Sequence, residues 1–286
     1  MLLFSVIGTA EDSKIDMRYI ALNDLIAEIF ADAEGSEVQQ RLLRAQRKSV
    51  RLAPRLRLAH IRRNGTNKWS PLKNRLTSKL GNKCWYTEAE LVGAHLTVDH
   101  YRPVSSYWFL AYEPENYRVA CPFANSPEHN LEHGLAGGKG ESFPLLPPER
   151  RARIKNSLRI EKPLILDPCN EDDCELLAFQ SDGRPVLNPQ KANDLTAAER
   201  VEKSKIFLNL DHPDFNTKRE QLYHDIANDV QEYEELLAGS TSRDTIRNRM
   251  QRRIERTAAF STAARYYLQL HRHLDWVDTL LKSATD

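Results

Sequence analysis

An aspartate followed directly by a histidine, Asp99-His100, lies in the run Val98-Asp99-His100-Tyr101-Arg102-Pro103. Asn116 follows His100 by sixteen residues and Asn125 follows Asn116 by nine. Side chains of these types suit phosphodiester hydrolysis. That reaction needs an activated water, in-line geometry and stabilisation of charge on the leaving oxygen, so a general base and a Lewis acid must stand on opposite sides of the phosphorus. An adjacent carboxylate and imidazole can divide those tasks. Neighbouring side chains of a strand point to opposite faces, so a bend after Val98 is expected, letting Asp99 hold a cation while His100 faces the water. Taken singly, Asp99-His100 reads as a surface dipeptide and the asparagines as turn residues. Their order and spacing together point to a site.

The arrangement resembles the HNH nuclease motif, in which a β-hairpin presents the Asp-His pair and a following helix or turn supplies the last ligand. The resemblance implies that His100 is the general base and that Asp99 and Asn125 ligate the cation. It also implies that Asn116 fixes the loop and orients the histidine ring. Oxygen ligands of this kind favour Mg²⁺ or Mn²⁺. His129, four residues after Asn125, would add a ligand if a helical turn forms there, and Pro127 is suited to start one.

The likeness extends further. Lys83-Cys84-Trp85-Tyr86-Thr87-Glu88, Tyr107-Trp108-Phe109-Leu110-Ala111-Tyr112-Glu113-Pro114-Glu115-Asn116 and Ser142-Phe143-Pro144-Leu145 resemble the PtuB-like HNH component of Septu-type anti-phage systems. So do Leu164-Ile165-Leu166-Asp167-Pro168 and Phe207-Leu208-Asn209-Leu210 ahead of Arg219, which takes the similarity over about 69–219. Membership would imply a nuclease effector that acts on DNA or RNA, with DNA favoured, under the control of an ABC or SMC-like ATPase. The helical C-terminal region is the expected docking surface for that partner. Competing readings are a nucleic-acid-binding adaptor that has lost activity and a purely structural partner of such an ATPase.

This chain departs from the family pattern in two places. Where relatives carry two C-x-x-C pairs that bind zinc, Cys84 is followed at the second position by Thr87 and Cys121 by Ala124. Two thiolates cannot close a tetrahedral site, so no zinc ribbon is expected, and Cys84 and Cys121 should pack as small buried hydrophobes. Residues 126–138 are inserted before Lys139-Gly140. The insertion contains His129-Asn130-Leu131-Glu132-His133, an H-x-x-E-H pattern that runs into Gly134, Gly137 and Gly138 instead of a sustained helix. Gly138-Lys139 lacks the spacing of a P-loop, so no ATP site is expected in this chain.

Three stretches of chain must position these residues. Apolar residues at Ile20, Leu22, Leu25, Ile26 and Ile29 recur at helical intervals, and a helical region is expected from Arg18 to about Leu80. Pro54 and Asn64-Gly65-Thr66-Asn67 interrupt it. A last helix is expected to start with Ser70 as N-cap and Pro71 at its first position and to end at Gly81-Asn82. Residues 83–147 change texture to aromatics, prolines and short β-like runs such as Leu96-Thr97-Val98. From about Pro189 the chain reads as helical again, with two long antiparallel helices over Thr217–Leu237 and Arg243–Leu281, joined at Gly239-Ser240. The expected organisation is α+β and predominantly α-helical. It comprises a basic helical region 1–82, a ββα-metal core 83–147 and a helical region 148–286.

The 286 residues carry a net charge of +1, yet the 43 positions from Arg41 to Lys83 hold fourteen Lys or Arg and no Asp or Glu. Such a block is suited to a polyanion, because each neutralised phosphate releases counterions, although a solvated helix face gives the same pattern. The side chains expected on nucleic acid are Arg55, Arg57, Arg62, Arg63 and Lys68, with Arg102 and Lys139 beside the motif. Four unevenly spread cysteines argue for reduced thiols. The short apolar opening Met1 to Ala10 runs into Glu11-Asp12 without a basic leader, so a cytoplasmic location without membrane contact is expected.

Overall fold

The computed structural model describes residues 19–91, 93 and 95–283. Met1 to Ala10 and the expected helix start at Arg18 lie outside them. The chain begins with α1 (Leu22–Ile29), α2 (Ala33–Arg51), α3 (Pro54–Asn64), α4 (Thr66–Trp69) and α5 (Leu72–Leu80). Pro54 starts α3 at its first turn, where its missing N–H costs nothing, and Gly81 ends α5 at φ +83°. Leu72, Leu76 and Leu80 recur every four residues and are buried, each worth roughly 1.5–3 kcal/mol of transfer free energy. Ser70 is not the N-cap of α5. Its own backbone is helical and its amide bonds Thr66 O at 2.9 Å, so α4 occupies the turn that the cap would have opened.

Next come β1 (Thr97–His100), β2 (Tyr117–Ala120), α6 (Pro122–Asn125) and α7 (Pro127–Glu132). β1 and β2 pair antiparallel, with Asp99 opposite Arg118 and His100 opposite Tyr117. The pairing is uninterrupted through His100, so the bend expected after Val98 is not there, and Asp99 and His100 leave β1 on opposite faces. Both are nevertheless buried, because the hairpin is covered on each side.

The remaining α-helices and strands are α8 (Glu171–Cys174), β3 (Leu177–Phe179), β4 (Pro185–Leu187), α9 (Leu195–Leu208), α10 (Pro213–Glu235), α11 (Thr241–Ile254), α12 (Ser261–Gln269) and α13 (Asp275–Ser283). β3 and β4 form a second antiparallel pair. Of the two long C-terminal helices expected, only the first is continuous. The second is divided into α11, α12 and α13. α11 stops at Ile254, where Glu255 turns extended, and Phe260 opens α12 in the left-handed region at φ +52°, with its amide bonded to Glu88 O at 3.1 Å. The Glu88 carboxylate then accepts the Thr262 amide at 2.8 Å and the Ser261 hydroxyl at 3.1 Å, satisfying the new helix start. α10 and α11 are joined by Arg249 and Arg253 on Asp229, with Arg253 also 3.2 Å from Asp225.

The fold is thus α+β and mainly helical. One hydrophobic cluster runs from Ile20 and Leu42 through Trp85, Tyr117 and Val119 to Tyr267 and Leu280, drawing on all three stretches of chain. Among the described residues, no helix is long and apolar enough to cross a membrane. The hairpin carries charge into this core. Arg118, 3% exposed, makes a bidentate pair with Asp167 at 2.7 and 2.6 Å, and although burial by itself lowers the pKa, that carboxylate raises it above the ordinary value and keeps the guanidinium charged. Truncating one member leaves the other charge buried without its partner. Arg118→Ala is therefore expected to lose about 3–5 kcal/mol of unfolding free energy in urea. A loss under 1 kcal/mol would show that this pair does not hold β2 to the Asp167 loop.

Candidate active site

His100 is held by groups from three elements. Its Nε2 lies 2.9 Å from Ala111 O, a carbonyl that also accepts Tyr117 OH at 2.9 Å. A carbonyl can only accept, so Nε2 carries the proton and Nδ1 is left with the lone pair. The Trp69 ring of α4 meets the imidazole edge-on at 4.6 Å and Tyr117 does so at 5.1 Å. Gly65 makes room for that indole, since a Cβ there would stand 2.2 Å from the Trp69 ring. Burial lowers the His100 pKa to about 4, so the imidazole is neutral at physiological pH.

Asp99 is 5% exposed, and both carboxylate oxygens have protein partners. Tyr86 OH donates to Oδ2 at 2.7 Å and Lys139 Nζ to Oδ1 at 3.0 Å. Burial drives the Tyr86 pKa well above its ordinary value, so the phenol remains a donor. Lys139 corrects the expectation of a phosphate contact. It is 0% exposed and its ammonium also donates to His100 O at 2.7 Å, so it belongs to the interior of the site. The loop after α7 delivers it, because the Lys139 and Gly140 amides bond Ala124 O and Asn125 O at 2.8 and 2.9 Å.

Asn116 grips the backbone of Arg102 at both ends, accepting its N–H at 2.8 Å and donating to its O at 2.9 Å. It therefore closes the long connection between β1 and β2. The histidine ring is oriented by Ala111, not by Asn116. Asn125 ends α6, and its Oδ1 is buried without a hydrogen bond from the protein. An orphaned amide oxygen of this kind fits a hard cation, which takes carboxylate and carbonyl oxygens and keeps several waters. Among the described residues, no three His, Cys, Asp or Glu side chains converge on a common centre.

His129 does not continue the face of Asn125. A helical turn does start at Pro127, but Ser126 is extended between α6 and α7, which breaks the four-residue phase. The His129 ring packs on Phe123 at 4.8 Å and His133 at 4.2 Å, and its Nε2 is buried without a partner. The H-x-x-E-H pattern spans a six-residue helix that ends at Glu132. Cys84 and Cys121 are fully buried with free thiols, and Thr87 Oγ1 lies 3.9 Å from Cys121 Sγ.

The basic residues divide. Arg55 and Arg63 are exposed on α3, beside exposed Arg41, Arg44, Arg47, Lys48 and Arg51 on α2, while Lys68 is half-buried. Arg57 is turned inward onto Leu52 O and Val50 O and stacks over Trp108, and Arg62 pairs with Glu141 at 2.6 Å. Arg102 is committed to Glu161 at 2.8 Å, a carboxylate that also accepts Tyr107 OH and the Ala152 amide. An apolar cavity of about 70 Å³ has Tyr86, Trp85 and Arg219 in its wall but not Asp99, His100 or Asn125, so it is separate from this site.

Sequence reasoning missed Ala111, Tyr86 and Trp69 as supports of the site. Tyr86 and Ala111 lie inside motif stretches already singled out, but a backbone carbonyl leaves no residue-type signature. Comparison with protein-family models and with curated proteins finds no match for this chain.

The buried neutral imidazole makes stability depend on pH. With a folded pKa of about 4 against an ordinary 6.5, the unfolded chain binds more protons between those values, so this contribution is full above about pH 6.5 and falls as pH drops toward 4. The loss should reach about 3 kcal/mol in metal-free protein. Urea denaturation in EDTA is expected to show this slope in the wild type and its absence in His100→Gln. Equal slopes would place the proton elsewhere.

Proposed function

We propose that this chain is a metal-dependent HNH-type endonuclease that hydrolyses nucleic-acid phosphodiester bonds. What supports this most is the state of His100: neutral, with Nε2–H tied to a main-chain carbonyl and the Nδ1 lone pair left for a water. Asp99 and the orphaned Asn125 Oδ1 would hold Mg²⁺ or Mn²⁺, which would supply charge stabilisation at the leaving oxygen. Since Asp99 and His100 leave β1 on opposite faces, the scissile phosphate would lie across the end of the strand, where pairing stops at His100. Asn116 is a positioning residue that fixes the connection leaving that end. The exposed arginines of α2 and α3 would track the backbone by charge alone, which suits either nucleic acid. DNA is the favoured substrate.

The resemblance to PtuB-like proteins adds a setting: the nuclease effector of a cytoplasmic anti-phage complex with an ABC or SMC-like ATPase. The partner would dock on the C-terminal helical region, where Leu195, Ile206, Leu237 and Leu270 are exposed. One observation favours a second reading, an inactive nucleic-acid-binding or structural adaptor of such an ATPase: the Asp99 charge is already matched by Lys139.

Plasmid and total-RNA cleavage in Mn²⁺, with and without the ATPase, separates the two readings. The wild type should cleave, and His100→Gln should be slower by about 10²–10⁴ with DNA affinity retained. Full activity in that variant would remove His100 from its role, and no cleavage by the wild type under any of these conditions would favour the adaptor. Affinity for duplex should fall steeply with salt, and replacing Arg55 and Arg63 together by Ala should lower the slope of log K against log salt by about 2. An unchanged slope would take those two arginines off the phosphate track.

A further inference from the structure

The cation beside Asp99 in the folded chain is one of its own side chains. Lys139 Nζ has three acceptors for its three protons: Asp99 Oδ1 at 3.0 Å, His100 O at 2.7 Å and Gly140 O at 3.4 Å. The side chain is 0% exposed and Asp99 5% exposed, so each is the other's charge partner in a poorly screened interior. The second carboxylate oxygen is held by the neutral Tyr86 phenol. Two backbone hydrogen bonds and two glycines set this arrangement. The flanking backbone is bonded to α6 at Ala124 and Asn125, and Gly138 and Gly140 have positive φ values of +89° and +48°. Gly138 has no room for a side chain, since a Cβ would stand 2.7 Å from both Asn130 Nδ2 and Pro127 N.

We propose that Lys139 is the resident counter-cation of Asp99, and that a divalent metal binds this carboxylate only by displacing the ammonium. The inference rests on the reading of Asp99 as a metal ligand and adds how that site is regulated. Two cations on one buried carboxylate repel each other where solvent cannot screen them. A single carboxylate and an amide oxygen cannot outweigh that repulsion, so metal and ammonium exclude each other. The folded chain therefore rests with its carboxylate neutralised, and its affinity for metal is set by the cost of expelling Lys139. The ammonium also holds His100 O, so its departure releases the backbone of the residue proposed as base. Metal loading and the setting of His100 are thereby coupled.

The test uses the full chain and reads binding, not cleavage. Calorimetric titration with MnCl₂ compares the wild type, Lys139→Met, and Lys139→Met combined with Asp99→Asn, each checked for folding by circular dichroism. Lys139→Met is expected to bind one Mn²⁺ about tenfold or more tightly than the wild type, and the added Asp99→Asn to abolish that gain. Equal or weaker binding in Lys139→Met would overturn the exchange while leaving Asp99 as a ligand. Absence of Mn²⁺ binding in every folded variant would overturn the metal reading and the exchange with it. Should Lys139→Met not fold, ¹⁵N NMR of the wild-type lysine side chains decides. A protected ammonium resonance should be present in EDTA and lost at saturating Mg²⁺, and its persistence at saturation would overturn the proposal.

Discussion

A charged side chain taken into a protein interior must find an opposite charge or strong hydrogen bonds there, and the β1–β2 hairpin takes in two. Asp99 and Arg118 face each other in register yet do not pair, because each is answered from elsewhere in the chain: Asp99 by Lys139 and Tyr86, Arg118 by Asp167. Satisfying them draws the residue 139 loop and the Asp167 segment onto the hairpin. Glu161 repeats the pattern nearby, gathering Arg102, Tyr107 and the Ala152 amide around one buried carboxylate. Much of what is irregular between residues 83 and 167 is chain laid down to meet these charges.

The same requirement shapes the surroundings of His100. Its ring is walled by Trp69 from the N-terminal helices, its Nε2 is anchored by Ala111 from the connection between the strands, and its carbonyl is held by Lys139 from beyond α7. No two of these supports come from the same element. The imidazole is consequently kept neutral by burial, and its tautomer is set by a carbonyl that has no other state available. A site assembled in this way is sensitive to movement of any one loop, above all that of Lys139, which carries the charge answering Asp99.

Farther off, Glu88 links the site region to the C-terminal helices. It takes a left-handed backbone at φ +58° and presents its carboxylate to the start of α12, while its carbonyl accepts Phe260 N. Lys83 completes the cluster through Glu88, Ser261 and the Ala258 carbonyl. Movement of α12 would act on the segment that carries Tyr86, two residues before Glu88.

What the sequence determined by itself was local. The interruption at Pro54 and the stop at Gly81 follow from backbone chemistry within a turn or two, as do the start at Pro127 and the placing of Asp99 on a strand and Asn125 after a second one. The exposed basic face of α2 and α3 likewise follows from a run with no acids. Tertiary structure decided the rest, and the reason is physical. A lysine reads as a surface cation until a distant carboxylate offers it a buried partner, which is how Lys139 entered the core. Arg102 and Arg57 were drawn inward by Glu161 and by backbone carbonyls. The helix expected through residue 260 restarts there on a glutamate more than 170 positions away, and the group that sets the tautomer of His100 is a peptide carbonyl that any residue type could have supplied.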